Sequence, residues 1–203
     1  MNLVEGYHSI VLLSDAITPL ALNSLKDLQR FGKSSNILLL PPLARVEFGT
    51  QINLQVQEGR VEILWKQPVL ESGFSKAKKL AEYFLGAYQS FEIKAIGINF
   101  NGLWLSDDDI DFKSWRSRFF NAEFMAQEHV KDLLSMEFKI SVQKKDFVRN
   151  LSFSERISDG NKGILANVNN HFDSLKNYVG IVKSADKLLQ ETVDEIEKFW
   201  IIA

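Results

Sequence analysis

Four aspartates fall within five positions of the stretch WLSDDDIDFKSW, residues 104–115, and carboxylates at this spacing could hold a metal ion. Asp107, Asp109 and Asp111 alternate like the first ligands of an EF-hand loop, but a phenylalanine and an arginine occupy the later glycine and glutamate positions of that motif. Ser106 followed by acids is typical of a helix start, where side-chain oxygens accept backbone N–H groups and acids favour the helix dipole. We therefore predict a helix N-terminus here, with a metal site on the three aspartates as the alternative.

Two Glu-x-Lys triplets, which begin at Glu92 and Glu137, have the local pattern of metal-dependent nucleases. In such enzymes the glutamate holds the metal and the lysine assists the attacking water. Those sites also need an acidic residue on a preceding strand, and no aspartate occurs between Asp27 and Glu92. We predict instead that both triplets lie on the solvent face of half-buried strands, and that the chain has no catalytic residue, metal or cofactor. A nuclease that uses Glu92, Lys94 and the aspartate cluster is the enzymatic alternative.

The other residues that could do chemistry form no known catalytic or metal-binding motif. His8, His129 and His171 are far apart, and none has a second histidine or a carboxylate at the spacing of a zinc-binding HExxH motif. The sequence contains no G-x-S-x-G elbow, no phosphate-binding glycine loop and no cysteine. Disulfides, thiolate metal sites and cysteine nucleophiles are therefore excluded, and a non-enzymatic function is favoured.

Aromatic and basic residues alternate near position 116, as they do in surfaces that stack nucleic acid bases. The candidate residues are Trp115, Arg116 and Arg118. A helix that packs its aromatic face while its arginines stay in water has the same pattern. Because the formal net charge is −2, the sequence offers no broad phosphate-binding surface, and nucleic acid binding is not favoured.

The segment 199–203, FWIIA, is almost entirely apolar. Large apolar side chains are normally buried, either on the protein's own sheet or against another chain. The candidate interface residues are Phe199, Trp200, Ile201 and Ile202. Trp200 continues the apolar stripe of the preceding helix, which predicts packing on the protein's own sheet. Ile201 and Ile202 lie past that stripe and are the candidate contacts with another subunit or a protein partner.

The composition is that of a globular protein, with 45% hydrophobic and 25% charged residues among 203. The apolar run Ile10–Leu13 is too short for a signal peptide or a membrane span, and no basic segment precedes it. We expect a soluble, cytoplasmic protein that does not associate with membranes and that has a protein partner or associates with itself.

Alternation of apolar and polar residues predicts most of the first half as antiparallel sheet with one covered face. The predicted strands contain residues 7–13, 36–40, 46–48, 52–56 and 61–65, with a hairpin turn at Glu58-Gly59. A helix is predicted from Thr18-Pro19 to Gly32, since proline suits the first helical position and glycine the end. Apolar residues at helical spacing predict a second helix over 74–89.

The second half repeats this order of elements. The patterns predict a strand at 92–100, a helix from Ser106 towards His129, strands around 136–142, 147–153 and 164–168, and a long final helix over about 174–200. An offset of 92 residues relates Ser14, after the first strand, to Ser106.

These orders predict an α+β fold of two similar strand–helix–three-strand–helix units, residues 1–91 and 92–203. Antiparallel sheets are covered by helices, and the chain ends in a long C-terminal helix. In its order of elements, this arrangement resembles duplicated folds such as the saddle of the TATA-binding protein. The predicted function is that of a cytoplasmic binding or assembly protein that holds another macromolecule through a sheet face or its C-terminal helix. The alternatives are the nuclease-type enzyme and a pocket protein that binds an apolar ligand between the sheet and that helix.

Overall fold

Nine strands and five α-helices make up most of the described chain. A computed structural model describes residues 2–24, 28–31, 33–40, 42–66, 74–87, 92–105, 112–127, 135–158, 160–173 and 177–198. The strands are β1 (Asn2–Leu13), β2 (Ser34–Leu40), β3 (Leu43–Phe48), β4 (Ile52–Gln57), β5 (Arg60–Lys66), β6 (Ala95–Leu105), β7 (Glu137–Gln143), β8 (Val148–Ser158) and β9 (Asn161–Phe172). The helices are α1 (Phe74–Ala87), α2 (Phe112–Ser117), α3 (Ala122–Ala126), α4 (Tyr178–Lys183) and α5 (Ala185–Ile196).

The strands form one antiparallel sheet in the order β2-β3-β4-β5-β1-β6-β9-β8-β7. The α+β class and the antiparallel pairing are therefore confirmed, and the strands of both predicted halves lie in this one sheet. The first strands of the halves, β1 and β6, pair with each other over almost their whole length. This β1–β6 pairing, or seam, provides hydrogen-bond partners for backbone groups that would lie at exposed edges if the halves formed two separate sheets.

The order of strands outwards from the β1–β6 seam is the same on both sides. One side continues β5-β4-β3 and the other β9-β8-β7, and each set of three strands is an antiparallel meander in sequence. The first half carries the additional edge strand β2. The internal repeat of two similar units remains a proposal.

The core lies on the face of the sheet that the helices cover. Val46, Leu54, Ile63, Ile10 and Ile98 oppose one another in register across β3, β4, β5, β1 and β6, and each is at most 3% exposed. Such a row buries the apolar side of the alternation that predicted these strands.

Beyond β6, the residues that continue this row are polar, and they hold the C-terminal helix in position. Asn170 of β9 and Arg149 of β8 are buried, and the Arg149 Nε atom donates to Asn170 Oδ1 at 2.7 Å. The Arg149 guanidinium also donates to Thr192 Oγ1 at 2.9 Å and forms an ion pair with Glu195, both on α5. A buried polar network of this kind requires one specific position of the helix, because a shift would leave charged groups unpaired.

Three predicted helices differ from the observed ones. The helix predicted from Ser106 towards His129 forms two short helices, α2 and α3, in the described residues, and its predicted start at Ser106 lies outside them. The segment after β1 forms 3₁₀ helices, Pro19–Ser24 and Leu28–Phe31, in place of one α-helix. Its first turn is closed by a three-residue hydrogen bond, from the amide of Ala21 to the carbonyl oxygen of Thr18 at 2.9 Å. Packing of the buried Ala21 and Leu22 against the sheet therefore outweighs the α-helical pattern.

The long final helix is interrupted at Ser184, between α4 and α5. The Ser184 hydroxyl donates back to the carbonyl oxygens of Gly180 and Ile181, each at 3.1 Å. Such back-bonding bends helices. The predicted apolar stripe nevertheless faces the core, since Val182 and Ile196 are fully buried. Within the described ranges, no helix has the length and apolar character needed to cross a membrane.

Candidate functional site

The face of the sheet opposite the helices carries two parallel rows of polar side chains, nine with an amide or hydroxyl group and one lysine. We call these residues the asparagine face. The first row crosses β7, β8, β9, β6 and β1 in register through Ser141, Asn150, Asn169, Asn99 and Ser9. The second row crosses the same strands through Lys139, Ser152, Asn167, Asn101 and Tyr7. Neighbouring strands lie roughly 4.8 Å apart, so each row is a line of polar groups roughly 19 Å long.

Hydrogen bonds along the rows fix the amides in place. The Asn169 Nδ2 atom donates to Asn99 Oδ1 at 2.6 Å, and Asn99 Nδ2 donates to Ser9 Oγ at 3.0 Å. Asn167 Nδ2 donates to Ser152 Oγ at 3.3 Å in the second row. A primary amide has two N–H donors and an oxygen with two lone pairs, so each asparagine keeps hydrogen-bonding capacity for a ligand.

A groove of about 520 Å³ follows these rows and is bordered by residues of both halves. The side chains of Asn99, Asn101, Asn167 and Asn169 are half-buried in it. Tyr7 is 40% exposed at its edge and offers an aromatic surface beside the amides. Because the rows that line it are each roughly 19 Å long, the groove suits an extended ligand.

The charged residues at the groove are paired with opposite charges. Glu62 lies 3.2 Å from the Arg60 guanidinium, and Lys139 lies 3.5 Å from the Glu137 carboxylate. Their fields largely cancel at the surface, where such pairs are also screened by salt. The groove therefore has the hydrogen-bonding chemistry of amides with little net charge.

Glycine at position 97 gives the first row its space. A Cβ atom on Gly97 would lie 3.3 Å from Asn99 Oδ1 and 3.4 Å from Asn169 Nδ2. The first distance is shorter than an ordinary van der Waals contact, so a Cβ atom here would displace the Asn99 amide by a few tenths of an ångström. The absence of a side chain here helps to keep the two amides in hydrogen-bonding distance of each other.

The residues of the nuclease alternative do not form a metal centre in the described part of the chain. Glu92 and Lys94 precede β6, so the prediction that this triplet lies on a strand is wrong, whereas Glu137 and Lys139 lie exposed on β7 as predicted. Lys94 forms an ion pair with Asp15, and this hydrogen bond and charge raise the pKa of Lys94 above its usual value. No group of three metal-binding side chains occurs among the described residues. Asp107, Asp109 and Asp111 lie outside them.

Two of the three nucleic acid candidates point into the protein. Trp115 is 4% exposed and packs against Phe138 with ring centroids 5.4 Å apart. Arg116 is buried, and its Nε and Nη2 atoms donate to the two carboxylate oxygens of Glu155, each at 2.6 Å. Arg118 is exposed beside the Phe119 ring. Since a base could not reach Trp115 or Arg116, their positions give no support to base stacking.

The predicted interface residues Phe199, Trp200, Ile201 and Ile202 also lie outside the described residues. The described end of α5 is held on the sheet, because Ile196 is fully buried and Trp104 Nε1 donates to Glu197 Oε1 at 3.1 Å. For the pocket alternative, the buried residues Leu189 and Val193 fill the contact between α5 and the sheet. A cavity of about 700 Å³ lies between α4 and the sheet, where Ile181 and Phe172 line it.

Sequence reasoning missed the asparagine face. The asparagines alternate with apolar residues in INFNGL at 98–103 and ANVNNHF at 166–172, so their orientation to the polar side was readable. The sequence did not show that these asparagines meet, because Asn101 pairs with Asn167 and Asn99 with Asn169 across 66 and 70 residues of sequence. No protein-family model and no curated protein sequence matches the chain.

Proposed function

We propose that this is a non-enzymatic binding protein that holds an extended, uncharged polypeptide segment of a protein partner on the asparagine face. The observation that carries the proposal is the pair of polar rows, which lie in register across five strands and whose five asparagines lie on β6, β8 and β9. A surface-exposed sheet face needs polar residues for solubility, but charged side chains serve that purpose better than half-buried amides. Rows of amides that bond to one another are the arrangement expected of a built recognition surface.

The chemistry of the groove favours a polypeptide over a nucleic acid. Backbone peptide groups are themselves amides, so each asparagine can both donate to and accept from them. A phosphate polymer instead requires several unpaired cations, and Lys139 at the groove already has Glu137 as its partner. Tyr7 at the edge can contact an aromatic or aliphatic side chain of the bound segment. The proposal includes a cytoplasmic location and no catalytic role.

Selection from a displayed library of uncharged 12-residue peptides tests this function. Peptides enriched on the wild-type protein should lose most of their affinity for the double variant Asn101→Leu, Asn169→Leu. Gln55→Leu is the matched control, since Gln55 is a half-buried amide on the same face, on β4 and outside the groove. Peptides that bind the double variant as tightly as the Gln55→Leu control would contradict the proposal. Salt-sensitive binding of single-stranded oligonucleotides, without binding of peptides, would also contradict it.

The melting temperature measured in the presence of Mg²⁺, Mn²⁺ or EDTA distinguishes the proposed function from the nuclease alternative. Binding to the native state raises the melting temperature. The proposed function predicts no rise with either metal. A rise that Asp107→Ala abolishes would favour the metal site instead.

A further inference from the structure

The edge strand β2 has an unusual surface. It ends the sheet beside β3, and Ile37, Leu38, Leu39 and Leu40 are 39–62% exposed. Leu20, in the 3₁₀ helix that contacts β2, is also exposed. These five are half of the ten exposed large hydrophobic residues in the described chain. Such concentration at one edge indicates a surface that is covered by a partner.

The exposed residues lie on both sides of the strand. Ile37 and Leu39 oppose Val46 and Ala44 of β3, which face the core. Leu38 and Leu40 oppose Arg45 and Leu43, on the side of the asparagine face. An edge strand exposed only to water would be expected to carry polar residues on at least one side. A further strand beyond β2 would bury both sets at once.

The opposite edge of the sheet is protected against such pairing. Strand β7 carries the exposed residues Glu137 and Lys139, and charges on an edge strand oppose the addition of another strand. By contrast, residues 34–44 contain no charged residue. Pairing of β2 with β7 of another copy would place apolar residues against these charges, which disfavours an open chain of molecules.

We propose that β2 pairs antiparallel with β2 of a second copy of this chain and forms a closed dimer with a continuous 18-stranded sheet. Because the strand is uncharged and apolar, it can pair with an identical strand. With a twofold axis at Leu39, Leu38 opposes Leu40 of the second copy, and Leu39 opposes Leu39 of the second copy. An axis at Leu38 pairs Ile37 with Leu39 instead. In both registers apolar residues on the same side of the sheet meet. The axis is perpendicular to the sheet, so the two asparagine faces share one surface.

Sedimentation velocity of the full chain between about 1 and 100 μM tests the dimer, a range chosen to bracket micromolar affinity. The wild type should be a dimer, and Leu38→Lys should raise its dissociation constant at least about tenfold, because a charge would lie within the paired edge. Ile157→Lys is the matched control, since Ile157 is also an exposed apolar residue of a strand, β8, far from β2. This control should leave the dimer unchanged.

Single cysteines give a second measurement that does not depend on how well a lysine is tolerated. The chain has no cysteine, so a disulfide in Leu38→Cys or Leu39→Cys can join only two copies. Directly opposed residues of antiparallel strands have Cα atoms roughly 4.5–5.5 Å apart, which suits a disulfide. One of these variants should oxidise to a covalent dimer and Ile157→Cys should not. A monomer at all concentrations, assemblies larger than a dimer, or equal cross-linking at Ile157 would overturn the proposal.

Discussion

At the scale of single residues, His8 is the side chain whose environment has the clearest thermodynamic consequence. It is 2% exposed on β1, stacked on Phe100 with centroids 5.2 Å apart and in edge contact with Phe74 at 5.8 Å. Neither ring nitrogen has a hydrogen-bond partner among the residues that the structure describes. Burial away from water therefore disfavours the charged imidazolium and lowers the pKa of His8 from 6.5 to about 4.

This shift makes the free energy of unfolding depend on pH. The unfolded chain binds a proton near pH 6.5 and the folded protein only near pH 4, so protonation favours unfolding. Stability from this residue is complete above pH 6.5 and is lost as the pH falls towards 4. The loss amounts to about 3 kcal/mol.

Urea unfolding at several pH values between 7.5 and 4 measures the effect. His8→Phe should flatten the curve over this window relative to the wild type, because a phenylalanine between two aromatic rings cannot take up a proton. His171→Gln is the control, and its curve should follow the wild type. If the curves of wild type and His8→Phe run parallel, the folded protein does not hold His8 neutral as described, and the assignment is wrong.

Single residues differ in whether the local sequence predicts their environment. The glycine of the Glu58-Gly59 hairpin is predicted from its type, and Gly59 has a φ of 72°. Arg116 has the sequence context of a surface residue, but its partner Glu155 is 39 residues away and draws it into a buried ion pair. Local patterns report turns well, whereas they carry no information on such distant partners.

At the scale of elements, the pairing of β6 with β9 depends on glycine at position 163. A Cβ atom there would lie 2.4 Å from the backbone oxygen of Trp104 and 2.5 Å from Leu105 Cδ2. The backbone oxygen cannot move aside without disturbing the β6–β9 hydrogen bonds, in which Gly163 opposes Leu105. Close approach of these strands at this end of their pairing therefore requires a residue without a side chain.

Gly163→Ala should lower the free energy of unfolding by roughly 1–3 kcal/mol, the usual cost of overpacking. Gly86→Ala is the matched control, because a Cβ atom on Gly86, in α1, would meet no heavy atom of the described residues within 4 Å. This control should raise stability by up to about 1 kcal/mol, since alanine is the better helix former. Chemical denaturation of both variants measures the two changes, and a stabilised Gly163→Ala protein would refute the steric argument.

The elements differ in how far the sequence determines them. Strands β3, β4 and β5 are predicted closely, because one side of each is buried and alternation records that burial directly. The apolar pattern predicts the start of β6 at residue 92, three residues before its observed start at Ala95. The pattern extends too far because apolar residues near Ile93 continue beyond the end of the pairing with β1. It also misses the break at Ser184, because a serine within a helical pattern signals a bend only when its hydroxyl bonds to a carbonyl oxygen.

At the scale of the whole molecule, the β1–β6 seam supports the proposal that the halves are related. The 92-residue offset that relates Ser14 to Ser106 carries His8 onto position 100, and His8 pairs with Phe100 in the sheet. An approximate twofold axis through this pair would exchange the halves and their matching strand orders. One core lies beneath both halves, since buried apolar side chains of both belong to a single cluster.

Deletion of the apolar C-terminal residues 199–203 should destabilise the protein. The described end of α5 is anchored by buried Ile196 and by the bond between Trp104 and Glu197, which favours packing of Phe199 and Trp200 on the same chain. Each large apolar side chain that is fully buried contributes roughly 1.5–3 kcal/mol. Since domain stabilities are only about 5–15 kcal/mol, deletion of these residues should lower the melting temperature markedly at every protein concentration.

Sedimentation of the truncated protein separates this outcome from an interface role. Packing within the chain predicts a lower melting temperature together with an unchanged dimer, because β2 lies at the far edge of the sheet from α5 and its contacts with β6, β8 and β9. If Ile201 and Ile202 instead contact another chain, truncation should release a folded monomer with its melting temperature little changed at low concentration. A truncated protein that keeps both its melting temperature and its association state would show that these four apolar residues contribute to neither.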